Sequence, residues 1–324
     1  MSGFSGTARD QAQPLVSVIT PTLNRAGLLE QTLRSVLAQT YPHVEHIVID
    51  GGSFDSTLDV LRKYAPTYDL KWESGPDNSM YEAINRGMRK ATGEIVAYLN
   101  SDDLYFPWTI GTVVESFAAR PRADFVYGDA LNIDDESGTI RVIWQPPFSV
   151  DYVRRVGFLV QPTVFWRRRV TLPGDPFDTS LKYVADCDFW MRAGTTHRFA
   201  KVDEFLAIER DHRATLREAN LPALLSELET VRCRYVTLEG AEHARRLASH
   251  RRRMALYRRY YWLRFVIASM TPSRLRGSSW ANLLASGRLQ FSRGRAAIAQ
   301  LPRVGRYLLD DIVTPDRYWL EPRS

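Results

Sequence analysis

The stretch EIVAYLNSDD, residues 94–103, decides how this chain is read. Ile95 to Leu99 is an apolar run of strand-forming residues that stops at Asn100-Ser101. Two adjacent carboxylates follow, Asp102 and Asp103. Like charges side by side at a strand's end repel unless something positive lies beside them. Hard divalent cations such as Mg²⁺ or Mn²⁺ prefer oxygen ligands and bridge carboxylates to phosphate oxygens. The competing reading makes the pair a cap for a helix beginning near Pro107.

Strands and helices alternate through the residues upstream. Leu15 to Thr20 is a β-branched apolar run that Pro21 should end, and Asn24 can cap a helix whose apolar face is Leu28, Leu29, Thr32, Leu33, Val36 and Leu37. His46 to Asp50 is a second strand, turned by Gly51-Gly52-Ser53 into a helix, and Leu70 to Glu73 is a short third. Ser79 to Ala91 is a helix stopped by Gly93. This alternation predicts an α/β fold with a mostly parallel sheet flanked by helices. Ligands on such sheets bind beyond the carboxyl ends of the strands, where Pro21, Thr22, Asp50, Asp102 and Asp103 sit.

Over 324 residues, 44% hydrophobic and 25% charged content is that of a folded globular protein. Residues 1–14 are a loose tail without the apolar core of a secretory signal. No stretch approaches the ~20 apolar residues of a membrane span. Cys187 and Cys233 lack a metal spacing and suit a cytoplasmic chain with free thiols. Charge is unevenly spread. Residues 241–309 carry fifteen arginines against the single acid Glu242, a net +14, which leaves −8 for the rest of a chain whose total is +6.

Five ordered blocks carry a resemblance. They are Val18 to Asn24; Ile49 to Ser53 with Asp55 and Thr57; Glu73 to Asp77; Tyr81 to Gly87 with Ala91 to Glu94; and Leu99 to Asp103. Together they resemble the nucleotide-sugar half of a family 2 glycosyltransferase, of the inverting, bacterial cell-surface glycan type, with the Rossmann-like GT-A fold. The resemblance implies that Pro21 and Thr22, with Asn24, lie against the donor's base. Asp50, with Ser53, contacts base or ribose. Asp77, Tyr81, Asn85 and Arg86 flank the diphosphate or donor sugar. Asp103 holds a Mn²⁺ or Mg²⁺ ion, with Asp102 on ribose or metal. The spacing here is Ser-Asp-Asp where the family has Asp-X-Asp.

The acceptor half should supply a base. Phe125 to Ala130 reads as a strand, and Gln161 to Phe165 as a strand or extended entry. Val184 to Arg192 matches the family's acidic pair opening an aromatic-rich helix, with Ala185 where many members have Glu. The resemblance assigns the base to Asp186, two residues from Asp188, so the two cannot share a helix face. Asp188 is expected at a helix dipole or an arginine, and Trp190 either stacks on a sugar or fills the core. His212 follows, with a role on metal or diphosphate.

These residues imply an inverting, metal-dependent transfer from a nucleotide-diphospho-sugar to a glycan or lipid-linked acceptor, in cell-surface polysaccharide or glycolipid synthesis. A nucleotidyltransferase would want a Gly-rich, basic phosphate loop after the first strand, and Thr20 to Asn24 is not one. A nucleic-acid-binding role for the arginines has no accompanying module, so no nucleic-acid partner is expected. The expected domains are 15–215, with a nucleotide-sugar half at 15–105 and an acceptor half at 106–215, and an Arg-rich helical extension at 216–324. In that extension arginines interleave with Tyr257, Tyr260, Tyr261, Trp262 and Phe265, which fits a helix lying in an anionic membrane interface. The expected location is the cytoplasm, peripheral at the inner face of the plasma membrane.

Overall fold

The apolar runs of the N-terminal half become four parallel strands in a computed structural model of the chain. It describes residues 13–135, 139–143, 145–150, 153–154, 159–171, 174–212 and 220–235. The strands are β1 (Val16–Thr22), β2 (Val44–Asp50), β3 (Leu70–Ser74) and β4 (Ile95–Tyr98), arranged β3-β2-β1-β4. Three helices make the crossovers: α1 (Ala26–Leu37), α2 (Thr57–Tyr64) and α3 (Met80–Lys90). β1 is buried along its whole length: α3 packs on it, and Val36 of α1 joins Val16 and Val18 in the core. At Gly87 a Cβ would overlap the Ile19 side chain, so α3 packs directly on β1 only with glycine there.

β1 does not stop at Pro21. Its ladder with β2 continues through Pro21 and Thr22, while its ladder with β4 ends at Ile19. Pro21 therefore lacks an N–H where no strand needs one. Asn24 does not cap α1 either. Its backbone turns left-handed at φ 52°, and Arg25 takes the cap position. Asp55 caps instead from the neighbouring loop, accepting the Ala26 N–H at 3.1 Å.

The C-terminal half extends the same sheet to nine strands, β3-β2-β1-β4-β8-β6-β9-β5, with β7 (Thr139–Ile143) on β6. β8 (Phe165–Arg167) runs antiparallel to β4 and to β6 (Phe125–Asp134), joining the halves. β9 (Phe199–Asp211) runs parallel to β6. The two-residue β5 (Leu104–Tyr105) follows the acidic pair and pairs antiparallel with Ile208 and Ala207 of β9. Gln161–Thr163 is a single 3-10 turn rather than a strand.

Under the second half lies an aromatic core of Phe125, Trp166, Phe177, Phe189 and Trp190. Trp190 is fully buried in it, so it fills the core and does not stack on a sugar. α4 (Thr109–Ala119), α5 (Ala185–Ala193) and α6 (Leu221–Tyr235) complete the described elements. Leu224, Leu228 and Val231 of α6 are buried in this core. The helix that opens the expected extension is thus packed against the body, and the division at 215/216 falls before it. The arginine-rich stretch at 241–309 lies outside the described residues. Among the described residues no helix is long and apolar enough to cross a membrane.

Candidate active site

A cavity of about 1050 Å³ opens beyond the carboxyl ends of β1 and β4. Ligand pockets commonly measure about 300–1,000 Å³, so this one has room for a ligand larger than a single sugar. Pro21, Thr22, Asp77, Tyr81, Asp102, Asp103 and Asp186 all line it.

The acidic pair sits in the turn between β4 and β5 and caps no helix. α4 begins at Thr109, and the residue before it, Trp108, offers no side-chain cap. The Asp103 carboxylate is 3% exposed. Its Oδ1 accepts the Arg210 N–H of β9 at 3.1 Å, and its carbonyl accepts the Thr32 hydroxyl of α1 at 2.9 Å. Asp102 Oδ2 accepts the guanidinium of Arg25 and, at 3.1 Å, Nε2 of His212. Burial pushes the Asp102 carboxyl up, but the His212 hydrogen bond and the Arg25 charge outweigh it and hold it below the usual range.

The donor set suits a hard divalent cation. Asp102 and Asp103 offer carboxylate oxygens beside His212. Asn100 Oδ1 and Thr22 Oγ1, both buried on cavity-lining residues, have no hydrogen-bond partner among the described residues. Among the described residues no three His, Cys, Asp or Glu side chains converge into a complete cage. Mg²⁺ characteristically binds one or two carboxylates plus substrate phosphates and needs no such cage.

Asp186 stands on the second residue of α5, facing the same cavity. Its Oδ1 accepts the Cys187 N–H at 2.8 Å and the Tyr81 hydroxyl at 3.2 Å. Burial raises its pKa against the opposing effect of those hydrogen bonds. A raised carboxyl in a cavity is a stronger base than a free one. Tyr81 belongs to α3 of the N-terminal half, so that half touches the Asp186 carboxylate directly. Asp188 points the other way. It is buried and accepts the Tyr235 hydroxyl at 2.9 Å and Arg234 at 3.2 Å, both from α6.

Several expected donor contacts are engaged within the fold. The Asp50 carboxylate is fully buried. It accepts the N–H groups of Gly52 and Ser53 at 3.1 and 3.0 Å, the Ser74 hydroxyl at 2.6 Å and the Ser53 hydroxyl. Asn24 accepts the Phe54 N–H at 2.9 Å, and Ser53 Oγ accepts the Asn24 N–H at 2.7 Å. These three residues tie the β1 and β2 loops together and do not line the cavity. Asn85 clamps the Phe177 backbone, donating to its carbonyl at 2.8 Å and accepting its N–H at 3.2 Å. Arg86 pairs with Glu73 at 3.0 Å. Asp77 does line the cavity, and burial raises its pKa despite the nearby Arg86 charge.

Sequence reasoning missed Arg25, Gln161 and Glu227. Gln161 lines the cavity and donates to the Tyr98 carbonyl at 2.6 Å while accepting from Asn100 at 3.2 Å. Glu227 of α6 accepts the N–H groups of Lys182, Tyr183 and Val184 at 2.8, 2.6 and 3.1 Å, just before α5. Arg25 stands next to the quoted block at Asn24, so its position was visible in the sequence; its partner 77 residues away was not.

Residues 17–179 match the profile described as Glycosyl transferase family 2. A PGL/p-HBAD biosynthesis glycosyltransferase of Mycobacterium bovis (strain BCG / Pasteur 1173P2) is 33% identical over 184 residues, which cover 56% of this chain and 70% of the relative. The solved structure of S. aureus TarS 1–349 in complex with UDP-GlcNAc superposes with a TM-score of 0.58 at 19% identity, covering 89% of this chain and 82% of that one. Against a second TarS structure the TM-score is 0.53 at 19% identity over 80% of this chain, which spans 50% of the other. The curled, mostly parallel sheet is thus shared with TarS.

Proposed function

Because the chain belongs to glycosyl transferase family 2, we propose that it moves a sugar from a nucleotide-diphospho-sugar to an acceptor hydroxyl with inversion at the sugar carbon. The observation that carries this reading is one cavity lined by Asp102 and Asp103 of the turn after β4 and by Asp186 of α5. The UDP-GlcNAc bound by TarS supports a nucleotide-sugar in that cavity.

The donor side is β1 and the acidic turn. Pro21 and Thr22 flank the base, and the Asp50–Ser53–Asn24 knot fixes the loops around it. Asp103, with Asp102 and His212, would hold Mn²⁺ or Mg²⁺. When bound, the ion neutralises charge growing on the leaving diphosphate. Asp186 removes the proton from the acceptor hydroxyl as it attacks, worth ~10²–10⁴-fold. The Tyr81 hydroxyl and the Cys187 N–H fix the orientation of that carboxylate.

Five apolar residues, Ile143, Leu159, Val160, Leu224 and Leu225, line the cavity together with polar ones such as Thr179, Ser180 and Lys182. Such a surface suits an acceptor with an apolar portion next to its hydroxyl. The mycobacterial relative, whose name places it in PGL/p-HBAD biosynthesis, supports a biosynthetic role, which we take to be glycolipid or cell-surface polysaccharide synthesis. The excess of arginines at 241–309 supports a peripheral position on an anionic membrane at its cytoplasmic face. In this reading residues 15–235 form the catalytic body and the arginine-rich remainder is the extension.

The test begins with thermal shifts of nucleotide diphosphates and their sugars with Mn²⁺ or Mg²⁺. A ligand at 100 times its dissociation constant adds ~2.7 kcal/mol of stability. With the donor identified, Asp186→Asn should still bind it while transfer falls by ~10²-fold or more. Near-normal transfer by that variant refutes the assignment of the base.

A further inference from the structure

Arg25 stands at the cap of α1 with its backbone fixed. Its N–H donates to the Thr57 hydroxyl at 3.2 Å, and its carbonyl accepts the first helical hydrogen bond, from Leu29, at 2.8 Å. From that fixed point the side chain reaches into the cavity and puts Nη1 on Asp102 Oδ2, the oxygen that also accepts His212 Nε2. The guanidinium side chain is 24% exposed and the carboxylate side chain 10%, so the contact is largely withdrawn from water. Two donors already use one oxygen of an acid that the proposed function gives to a divalent cation. A guanidinium and a divalent ion on the same carboxylate repel, and in a partly buried site that repulsion is screened little. Buried Thr22 Oγ1 and Asn100 Oδ1, on residues that line the same cavity, lack hydrogen-bond partners among the described residues.

We propose that Arg25 is a place-holding cation: its guanidinium occupies Asp102 until a nucleoside diphosphate arrives, then moves to a diphosphate oxygen as the divalent ion takes the carboxylate. This inference rests on the reading of Asp102 and Asp103 as the metal and diphosphate site. The guanidinium fork is built for either partner, since carboxylate and phosphate oxygens both accept it bidentately. Its pinned backbone and long side chain allow the exchange without moving α1. The consequence is coupling. The ion alone must displace Arg25 and binds weakly. With a diphosphate present Arg25 has another partner, so each ligand favours the other.

The experiment uses the full chain and reads binding, not turnover. Mn²⁺ alone is titrated against wild type, Arg25→Gln, Arg25→Lys and Asp103→Asn by electron paramagnetic resonance. UDP, GDP and dTDP are then titrated by calorimetry at saturating Mn²⁺, using whichever binds wild type. Arg25→Gln should bind Mn²⁺ about tenfold more tightly than wild type and the diphosphate about tenfold more weakly, within the usual span of coupling between two sites. Arg25→Lys, which keeps the charge, should bind Mn²⁺ more weakly than Arg25→Gln. Equal or weaker Mn²⁺ binding by Arg25→Gln overturns the proposal, as does absence of Mn²⁺ binding in both wild type and Arg25→Gln. If Asp103→Asn keeps wild-type Mn²⁺ affinity, the site reading itself has failed. If Asp103→Asn loses Mn²⁺ while Arg25→Gln changes nothing, the site stands and the role of Arg25 does not.

Discussion

Removing the Glu227 carboxylate should loosen the helix that carries Asp186. Glu227 lies on α6, yet its two oxygens collect three successive N–H groups, those of Lys182, Tyr183 and Val184, on the approach to α5. Hydrogen bonds to a charged group contribute about 1.5–3 kcal/mol each when well buried. Glu227 is half-buried, so each bond is placed at about 1 kcal/mol, the net worth of an ordinary hydrogen bond, and the three together at about 3 kcal/mol. Glu227→Ala should therefore lose about 3 kcal/mol in urea denaturation at pH 7.5. Glu227→Gln keeps one accepting oxygen of two and should lose less than the alanine variant. Val184 is two residues before Asp186, so the freed segment also displaces the acid. A misplacement of about 1 Å can cost 10²-fold in rate, and we expect a fall of at least about tenfold in transfer with donor binding unchanged. If Glu227→Ala unfolds within about 0.5 kcal/mol of wild type, in the ordinary range of a surface substitution, the clasp is not holding α5 and the reasoning fails.

The two acids of α5 should separate cleanly. Asp188→Asn should lower stability, because buried Asp188 holds Tyr235 and Arg234, whereas Asp186→Asn should melt near wild type; a reversed order in melting temperature would exchange their roles. His46 gives a pH signature. It is fully buried between the Thr20 and Tyr68 hydroxyls, at 2.9 and 2.8 Å, and burial lowers its pKa from 6.5 to about 3. Below pH 6.5 the unfolded chain takes up a proton that the folded chain refuses, so stability falls as pH drops from 6.5 toward 3, by about 2 kcal/mol at pH 5. Urea denaturation at pH 7 and pH 5 should show His46→Gln gaining that amount relative to wild type over the interval, and parallel pH dependences would rule the linkage out.

The parallel half of the sheet was legible because its strands are continuous apolar runs and its helices have a clear inward face. The acidic pair was legible for the same reason: it follows such a run. The turn chemistry of Asp50 was partly visible, since Asp-Gly-Gly-Ser places N–H donors two and three residues after an acid, yet the family resemblance drew that carboxylate toward the donor. Partners distant along the chain were not visible. Nothing local couples Tyr81 to Asp186, Asn85 to Phe177 or Arg25 to Asp102; the sheet order brings them together. The expected boundary at 215/216 leaves α6 in the extension, although Leu224, Leu228 and Val231 repeat at helical spacing. An apolar face of that kind needs a partner, and the aromatic core under α5 is that partner.

The placement of α6 bears on how such a chain can diversify. The family match ends at residue 179, ahead of both α5 and α6. Leu224 and Leu225 line the cavity from α6, and neither belongs to the turn that carries the acidic pair. Substitutions at these two leucines would reshape the cavity without touching the turn that carries Asp102 and Asp103. The shape of this cavity can thus change through a helix that lies outside the family match, while the matched strands stay as they are.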